Sequence, residues 1–202
     1  MGQVMTGADF WSLVRQSLVR PREAAERILA LRMPLGVAWM GLALMAVLNT
    51  LVYSLSIQLS PPSDPMAIGM VGPAFHAPML FALLLFGALT MTALVLGAVG
   101  RWLGGQGGMA EIVPLLTWMQ VLRLLVQLGV VVLALAMPVL AALAVMVAAL
   151  WGIYILLAFV AEAHGFDSLG RAAGVVVMSI LGLAVGLSVL LSLVGITAPG
   201  GM

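Results

Sequence analysis

Long stretches without a charged side chain constrain this fold more than any other feature of the sequence. No charge occurs between Arg32 and Asp64, and none occurs in the 38 residues between Arg123 and Glu162. A helix needs ~20 apolar residues to cross the hydrocarbon core of a bilayer. Charged residues make up only 7% of the chain, against about 25% in soluble domains. So few charges cannot cover a water-facing surface, and the sequence therefore predicts a polytopic membrane protein.

Helix length and proline positions divide the apolar runs into spans. The run after Arg123 would form a helix of ~57 Å, about twice the thickness of a bilayer core, so Pro138 is predicted to divide it. The piece before Pro138 is too short to cross alone, so its span is predicted to begin near Trp118, which would anchor it at the interface. Residues 109–117 then form an interfacial lead-in. We predict an all-α membrane helix bundle within residues 34–196, with five transmembrane helices at about 35–59, 77–100, 118–137, 139–161 and 172–196.

Residues 1–33 are predicted to form an amphipathic helical segment on the cytoplasmic side. Asp9 is the expected cap of a first helix, and Pro21 suits the first position of a second one. Glu23 and Arg27 are four residues apart and are expected to pair. The segment either lies in the headgroup layer with its arginines toward anionic lipid, or serves as a basic flank that orients the first span.

Arginine positions predict the orientation. One side of the predicted bundle holds Arg15, Arg20, Arg22, Arg27, Arg32, Arg101 and Arg171. The other side, with the loop 60–76 and a short external tail at 197–202, holds none. The positive-inside rule then places the N-terminus in the cytoplasm and the C-terminus outside. All basic residues are arginine and the chain is rich in Ala, Gly and Leu, which suggests a bacterial protein and hence the inner membrane.

A polar cluster is expected at the cytoplasmic ends of the spans. Its candidate members are Glu111, Arg123, Glu162, His164, Asp167 and Arg171. Arg123 is the strongest candidate, because an ionisable group inside a membrane usually faces a partner or a wet cavity. A contact with Glu162 is one hypothesis, although ~13 Å of helix rise separates the two positions. Glu111, a lipid phosphate or simple snorkelling to the headgroups are the alternatives.

Other patterns narrow the chemistry. The chain has no cysteine and two histidines, His76 and His164, which are predicted on opposite sides, so neither a metal nor a cofactor is expected. The glycine-rich turn 101–111 lacks a phosphate-binding pattern and is expected to be flexible. Ala144, Ala148 and Gly152 recur every four residues, which predicts a small-residue face for close helix contact. Asn49 is expected to form an interhelical hydrogen bond.

Three stretches together resemble the bacterial branch of the YIP-one domain family, the Ypt/Rab-interacting membrane proteins. They are VRPREAAERI at 19–28, LGGQGGMAEIVPLLTW at 103–118 and WGIYILLAFVAEAHGFDSLGRA at 151–172. The resemblance covers about residues 12–195. It implies five spans, a cytoplasmic N-terminus and an outward C-terminus. The Asp-Leu-x-Gly-Pro stretch of eukaryotic relatives is not found in this sequence, which argues against binding of a Rab-type GTPase.

Two functions follow as expectations. The first is a non-enzymatic scaffold or adaptor that contacts lipids and an unidentified protein partner through its cytoplasmic face, with homo-oligomerisation possible and no nucleic-acid binding expected. The second is a small transporter or channel with a polar path formed by Asn49, Gln120, Arg123 and Gln127. A transporter needs a continuous polar track, whereas the second, fourth and fifth predicted spans are almost wholly apolar, so the sequence favours the adaptor.

Overall fold

The computed structural model describes residues 6–59 and 77–193, with side chains through residue 186. The predicted loop 60–76, including His76, and the predicted tail 197–202 lie outside the described residues. The described helices are α1 (Gly7–Val19), α2 (Pro21–Ala30), α3 (Leu35–Leu59), α4 (Pro78–Trp102), α5 (Met109–Ala136), α6 (Pro138–His164) and α7 (Leu169–Leu193). The described part of the chain contains no strand. The prediction of an all-α bundle with five long apolar helices is confirmed.

Helices α5 and α6 are longer than the predicted spans, because they continue past the point where charged residues begin, whereas α3 has the predicted bounds 35–59. Helix α5 includes the whole predicted lead-in 109–117, since the Glu111 carboxylate accepts a hydrogen bond from the Gly108 amide (2.8 Å) and starts the helix there. Helix α6 reaches His164 and ends at Gly165, whose φ of +67° is a left-handed conformation that glycine adopts without strain. Only Met137 separates α5 from α6.

Helix α5 is the central helix of the bundle. It packs on α3, α4 and α6, while α7 packs on α4 and α6. Buried apolar side chains from these helices, such as Leu42, Val113 and Phe159, form one continuous core. The Asn49 amide donates to the backbone carbonyl of Gln120 (3.2 Å) and so joins α3 to α5. The predicted interhelical hydrogen bond is confirmed.

Helix α1 begins with a capping box that differs from the prediction. Thr6, not Asp9, is the N-cap residue: its hydroxyl accepts from the Asp9 amide (3.2 Å), and the Asp9 carboxylate accepts from the Thr6 amide (3.1 Å). Asp9 is the third helical residue, where the reciprocal bond of a capping box is made. The Thr6 hydroxyl also donates to this carboxylate and lowers the pKa of Asp9.

Helix α2 begins at Pro21, as predicted. The predicted Glu23–Arg27 pair does not form, because each side chain has a nearer partner. Glu23 pairs with Arg20 (3.3 Å), and Arg27 reaches across to Asp9 of α1 (3.6 Å). The second pair is possible because α1 and α2 pack against each other.

The apolar sides of α1 and α2 pack on protein. Leu13 and Val14 of α1, and Ala24, Ala25 and Ile28 of α2, are buried in the same core as the spanning helices. Helix α2 lies against α5 and α6. The amphipathic pattern of the N-terminal segment therefore attaches these two helices to the bundle.

Candidate functional site: the N-terminal face

Most of the polar contacts between elements lie at one end of the bundle, which we call the N-terminal face. It consists of α1, α2, the loop 103–108 and the loop 165–168. Both loops lie at this end because the connectivity brings α4 and α6 back to it, and α5 and α7 begin there. Five arginines on this end of the bundle are exposed, namely Arg15, Arg20, Arg32, Arg101 and Arg171.

Two tryptophans attach α1 to the bundle. The indole N–H of Trp118 donates to the Ser17 hydroxyl (2.8 Å), and both side chains are buried. The indole N–H of Trp151 donates to the carbonyl of Leu18 (2.9 Å). The prediction that Trp118 anchors the helix at the lipid interface was wrong, because α1 covers the position at which Trp118 would meet lipid.

Arg22 attaches α2 to the loop between α6 and α7. Its guanidinium donates to the backbone carbonyl of Asp167 (3.3 Å) and to that of Phe166. These carbonyls follow the end of α6, where backbone acceptors are left without helical partners. A charged donor shared between two such carbonyls fixes α2 over the helix end more firmly than a neutral donor would.

His164 is buried at the centre of the face. Its Nδ1 accepts from the Gly107 amide (3.2 Å), and its carbonyl accepts from the Gln106 amide (3.1 Å), so the last residue of α6 holds the loop before α5. The Phe166 ring stacks on the imidazole with 5.4 Å between centroids. His164, which the sequence placed in a polar cluster, is therefore a buried packing residue.

The glycines around residue 105 are required by this histidine. A Cβ built on Gly100 would lie 2.1 Å from His164 Cε1, and one built on Gly105 would lie 2.7 Å from its Cβ. A Cβ on Gly107 would lie 2.5 Å from the Ala163 carbonyl oxygen. The sequence interpretation of this turn as a flexible linker missed its role, because these glycines allow backbone and imidazole to approach closely.

The structure places the members of the predicted polar cluster in different environments. Glu111 caps α5 next to the His164 loop, and Asp167 and Arg171 are exposed at the start of α7. Glu162 is partly buried in the last turn of α6. Arg123 lies apart from the face, in a groove on the membrane side.

Arg123 forms no ion pair with Glu162 or Glu111 within the described ranges, so the hypothesis of an Arg123–Glu162 contact was wrong. The described ion pairs are Arg20–Glu23 and Arg27–Asp9. The antiparallel α5 and α6 meet at Met137, and this leaves Arg123 and Glu162 at different depths, as the ~13 Å difference in helix rise indicated.

The groove that holds Arg123 is here called the α5–α6 groove. Its volume is about 1080 Å³, and it is lined along its length by α5 and α6, with the last turns of α3 at one end and Leu18 of α1 at the other. Its lining is mainly apolar, and Gln127 is the polar neighbour of Arg123 on α5.

The polar residues proposed for a transport path do not share one open surface. Asn49 and Gln120 are buried in the contact between α3 and α5, and Arg123 lines the groove, while Gln127 lines the groove and donates to the Asn49 backbone carbonyl (3.5 Å). A path needs these groups on one continuous surface. The structure therefore does not favour the transporter alternative.

A family model matches most of the chain. Residues 15–191 match the Yip1 domain. The chain belongs to the Yip1 domain family. Neither the curated proteins nor the solved structures compared with the chain include a match.

The Yip1 domain of this chain includes more than its membrane-spanning helices. The match begins at Arg15, inside α1, and so takes in Ser17, Arg22 and the whole of α2. It ends inside α7. The contacts that attach α1 and α2 to the bundle are therefore internal to the domain.

Sequence reasoning did not find Ser17, Leu18 or Arg22 as contact residues. One signal was present for Ser17: it lies seven residues after Phe10, on the apolar side of α1, where a small polar side chain needs a hydrogen-bond partner. No comparable signal marks Leu18, since its contact is made by a backbone carbonyl.

Proposed function

We propose that this Yip1-family membrane protein is a non-enzymatic adaptor, and that a protein partner binds its N-terminal face. The observation that carries the proposal is the fixed docking of α1 and α2 onto the bundle. Trp118, Trp151 and Arg22 each bond to a residue distant in sequence. A pre-organised surface loses little entropy when a partner binds.

The composition of the face suits a protein partner at a membrane surface. It exposes acidic side chains, including Glu23, Glu26 and Asp167, beside its arginines. Trp11 and Trp102 are also exposed, at 62% and 73%. Aromatic side chains of this kind lie at membrane interfaces or serve as anchors in protein contacts.

Orientation is part of the proposal. Seven of the eight arginines belong to the end of the bundle with α1 and α2, and the loop 60–76 and the tail 197–202 contain none. The positive-inside rule supports a cytoplasmic N-terminal face and an external C-terminus. With the bacterial resemblance of the sequence, this supports the inner membrane as the location and a cytoplasmic protein as the partner.

Reporter fusions test the orientation. One reporter that is active only in the cytoplasm is placed after Met202, and another in the loop 60–76. We expect both fusions to be inactive and a fusion before residue 6 to be active. Activity at Met202 would contradict the orientation.

Site-specific photo-crosslinking in membranes tests the adaptor role. A crosslinking residue replaces Glu26, which is exposed on the N-terminal face, or Leu84, which is exposed on α4 facing lipid. We expect a discrete protein adduct from position 26 and none from position 84. An adduct with a second copy of this chain would instead indicate a homo-oligomer.

Flux measurements complete the test. Proteoliposomes that contain the purified protein are expected to show no flux of ions or solutes above that of empty vesicles. Flux that is lost in Arg123→Ala, together with no adduct at position 26, would overturn the adaptor proposal in favour of a transporter.

A further inference from the structure

The α5–α6 groove has the length and lining of a site for a lipid chain. It extends from Met119 to Leu135 along α5, which is ~24 Å of helix rise. One leaflet contributes about half of a hydrocarbon core of ~30 Å, so the groove is long enough for an acyl chain of one leaflet. Its volume of about 1080 Å³ is slightly above the range of about 300–1,000 Å³ for small-molecule sites.

Small residues create this groove. Gly129 on α5 and Ala144, Ala148 and Gly152 on α6 all line it. A Cβ added at Gly129 or Gly152 would meet no atom within 4 Å. The small-residue face that the sequence predicted for close helix contact therefore leaves the α5–α6 groove open along the membrane side of the bundle.

Arg123 is the charged residue among the side chains that line the groove, and no carboxylate lies there. It is exposed and has no ion-pair partner within the described ranges. Arg123 and Trp151 are each 14 residues from Met137, so Arg123 lies at about the depth of Trp151, which bonds to the end of α1, and its guanidinium can extend toward the headgroup layer. A cation at this depth is stabilised by an anion, and a guanidinium matches a phosphate with paired hydrogen bonds.

Helix α1 borders the end of the groove that is nearest the N-terminal face. Leu18 lines this end, and Trp151, which also lines the groove, donates its indole N–H to the Leu18 carbonyl. Trp151 is 48% exposed, and a tryptophan with one polar and one apolar edge suits the headgroup level.

We propose that the α5–α6 groove binds one anionic phospholipid from the leaflet that faces α1 and α2. Its phosphate contacts Arg123 beneath the end of α1, and an acyl chain lies along Ala148, Ala144 and Gly129, which are nearer than Arg123 to the turn at Met137. This assignment goes beyond the adaptor role and does not depend on the presence of a protein partner or on the orientation in the cell.

Native mass spectrometry of the full-length protein in mild detergent tests the site. The protein is titrated with phosphatidylglycerol and, separately, with phosphatidylcholine of the same acyl chains. We expect tighter binding of phosphatidylglycerol, and roughly fivefold weaker binding of it by Arg123→Ala, the effect of about one basic residue near an anionic lipid. Arg123→Lys, which keeps the charge, is expected to retain most of the preference.

Two variants test the chain-binding part of the groove. Gly129→Leu and Ala144→Leu place bulk in the groove and are expected to weaken the binding of both lipids. Gly87→Leu is the matched control, because Gly87 is also helical, lies on α4 outside the groove and has no atom within 4 Å of an added Cβ. Arg171→Ala is the charge control, since Arg171 is exposed away from the groove.

The outcomes separate the proposal from its alternatives. Equal binding of the two lipids, or unchanged phosphatidylglycerol binding by Arg123→Ala, would show non-specific annular lipid and refute the site. Loss of binding by Arg171→Ala to the same extent would show a general charge effect and also refute it. A dimer that Gly129→Leu dissociates would assign the groove to a second copy. If Arg123→Ala does not fold, Arg123→Gln and the thermal stabilisation of the wild type by each lipid decide the same question.

Discussion

The close approach of Gly100 to the His164 ring predicts that a substitution of the histidine will partly rescue a substitution of the glycine. Gly100→Ala places a Cβ 2.1 Å from His164 Cε1 and 2.2 Å from Nε2, so the ring or helix α4 must shift. Overpacking of this kind costs about 1–3 kcal/mol. In a chain of this length a loss of about 2 kcal/mol lowers the melting temperature by about 4–8 °C.

The second half of the prediction removes the ring. His164→Ala alone leaves the Gly107 amide without its acceptor, a loss of about 1–3 kcal/mol, in addition to a cavity. In the double variant Gly100→Ala/His164→Ala the new methyl group occupies space that the ring has vacated. We therefore expect the double variant to be more stable than the sum of the single effects, by at least about 1 kcal/mol of coupling.

The assay is thermal unfolding in mild detergent, followed by intrinsic tryptophan fluorescence. Gly87→Ala is the matched control, because Gly87 lies in the same helix and an added Cβ there meets no atom within 4 Å. Its melting temperature is expected to stay unchanged or rise slightly, since alanine favours a helix over glycine. Equal melting temperatures for Gly100→Ala and Gly87→Ala, or strictly additive effects in the double variant, would refute the packing of His164 against Gly100.

Three further predictions follow from contacts of single side chains. Trp118→Phe removes the hydrogen bond to Ser17 and is expected to lower the free energy of unfolding by about 1–3 kcal/mol. It is also expected to speed hydrogen exchange in α1, and exchange at the wild-type rate would contradict the docking of α1. Asn49→Ala is expected to cost about 0.6 kcal/mol, the average for a hydrogen bond between membrane helices, measured by thermal unfolding. Because the pKa of Asp9 is lowered, its carboxylate stabilises the start of α1 at pH values above its ordinary pKa of 3.8, and this contribution is lost as the pH falls through the lowered pKa. Protease cleavage near Thr6 is expected to rise at that low pH. Asp9→Asn is expected to remove this pH dependence.

The number of spanning helices could be predicted from the sequence because charge and length alone decide it. Residues between Arg123 and Glu162 are too many for one crossing, and Pro138 divides them at the position where the structure starts α6. Hydropathy is sufficient for such a result, since lipid requires apolar surface along the whole span.

The docking of α1 and α2 could not be predicted in the same way. An apolar helix side that faces lipid and one that packs on protein have the same hydropathy, so the roles of Ser17 and Trp118 depended on a contact between residues 101 positions apart. The glycine-rich turn was misinterpreted for a related reason: glycine suits both a flexible linker and a close approach, and the partner that decides between them, His164, lies in another helix.

The single residue between α5 and α6 has a consequence for the order of assembly. Because Met137 leaves no room for a loop, we expect the two helices to enter the bilayer together as one hairpin. The residues that hold α1 and α2, Trp118, Trp151 and the carbonyl of Phe166, all belong to this hairpin or to the residues just after it. Helices α1 and α2 are synthesised before the residues that hold them, so we expect them to reach their final positions only after α5 and α6 have formed, and until then their apolar sides are available to other proteins or to the lipid surface.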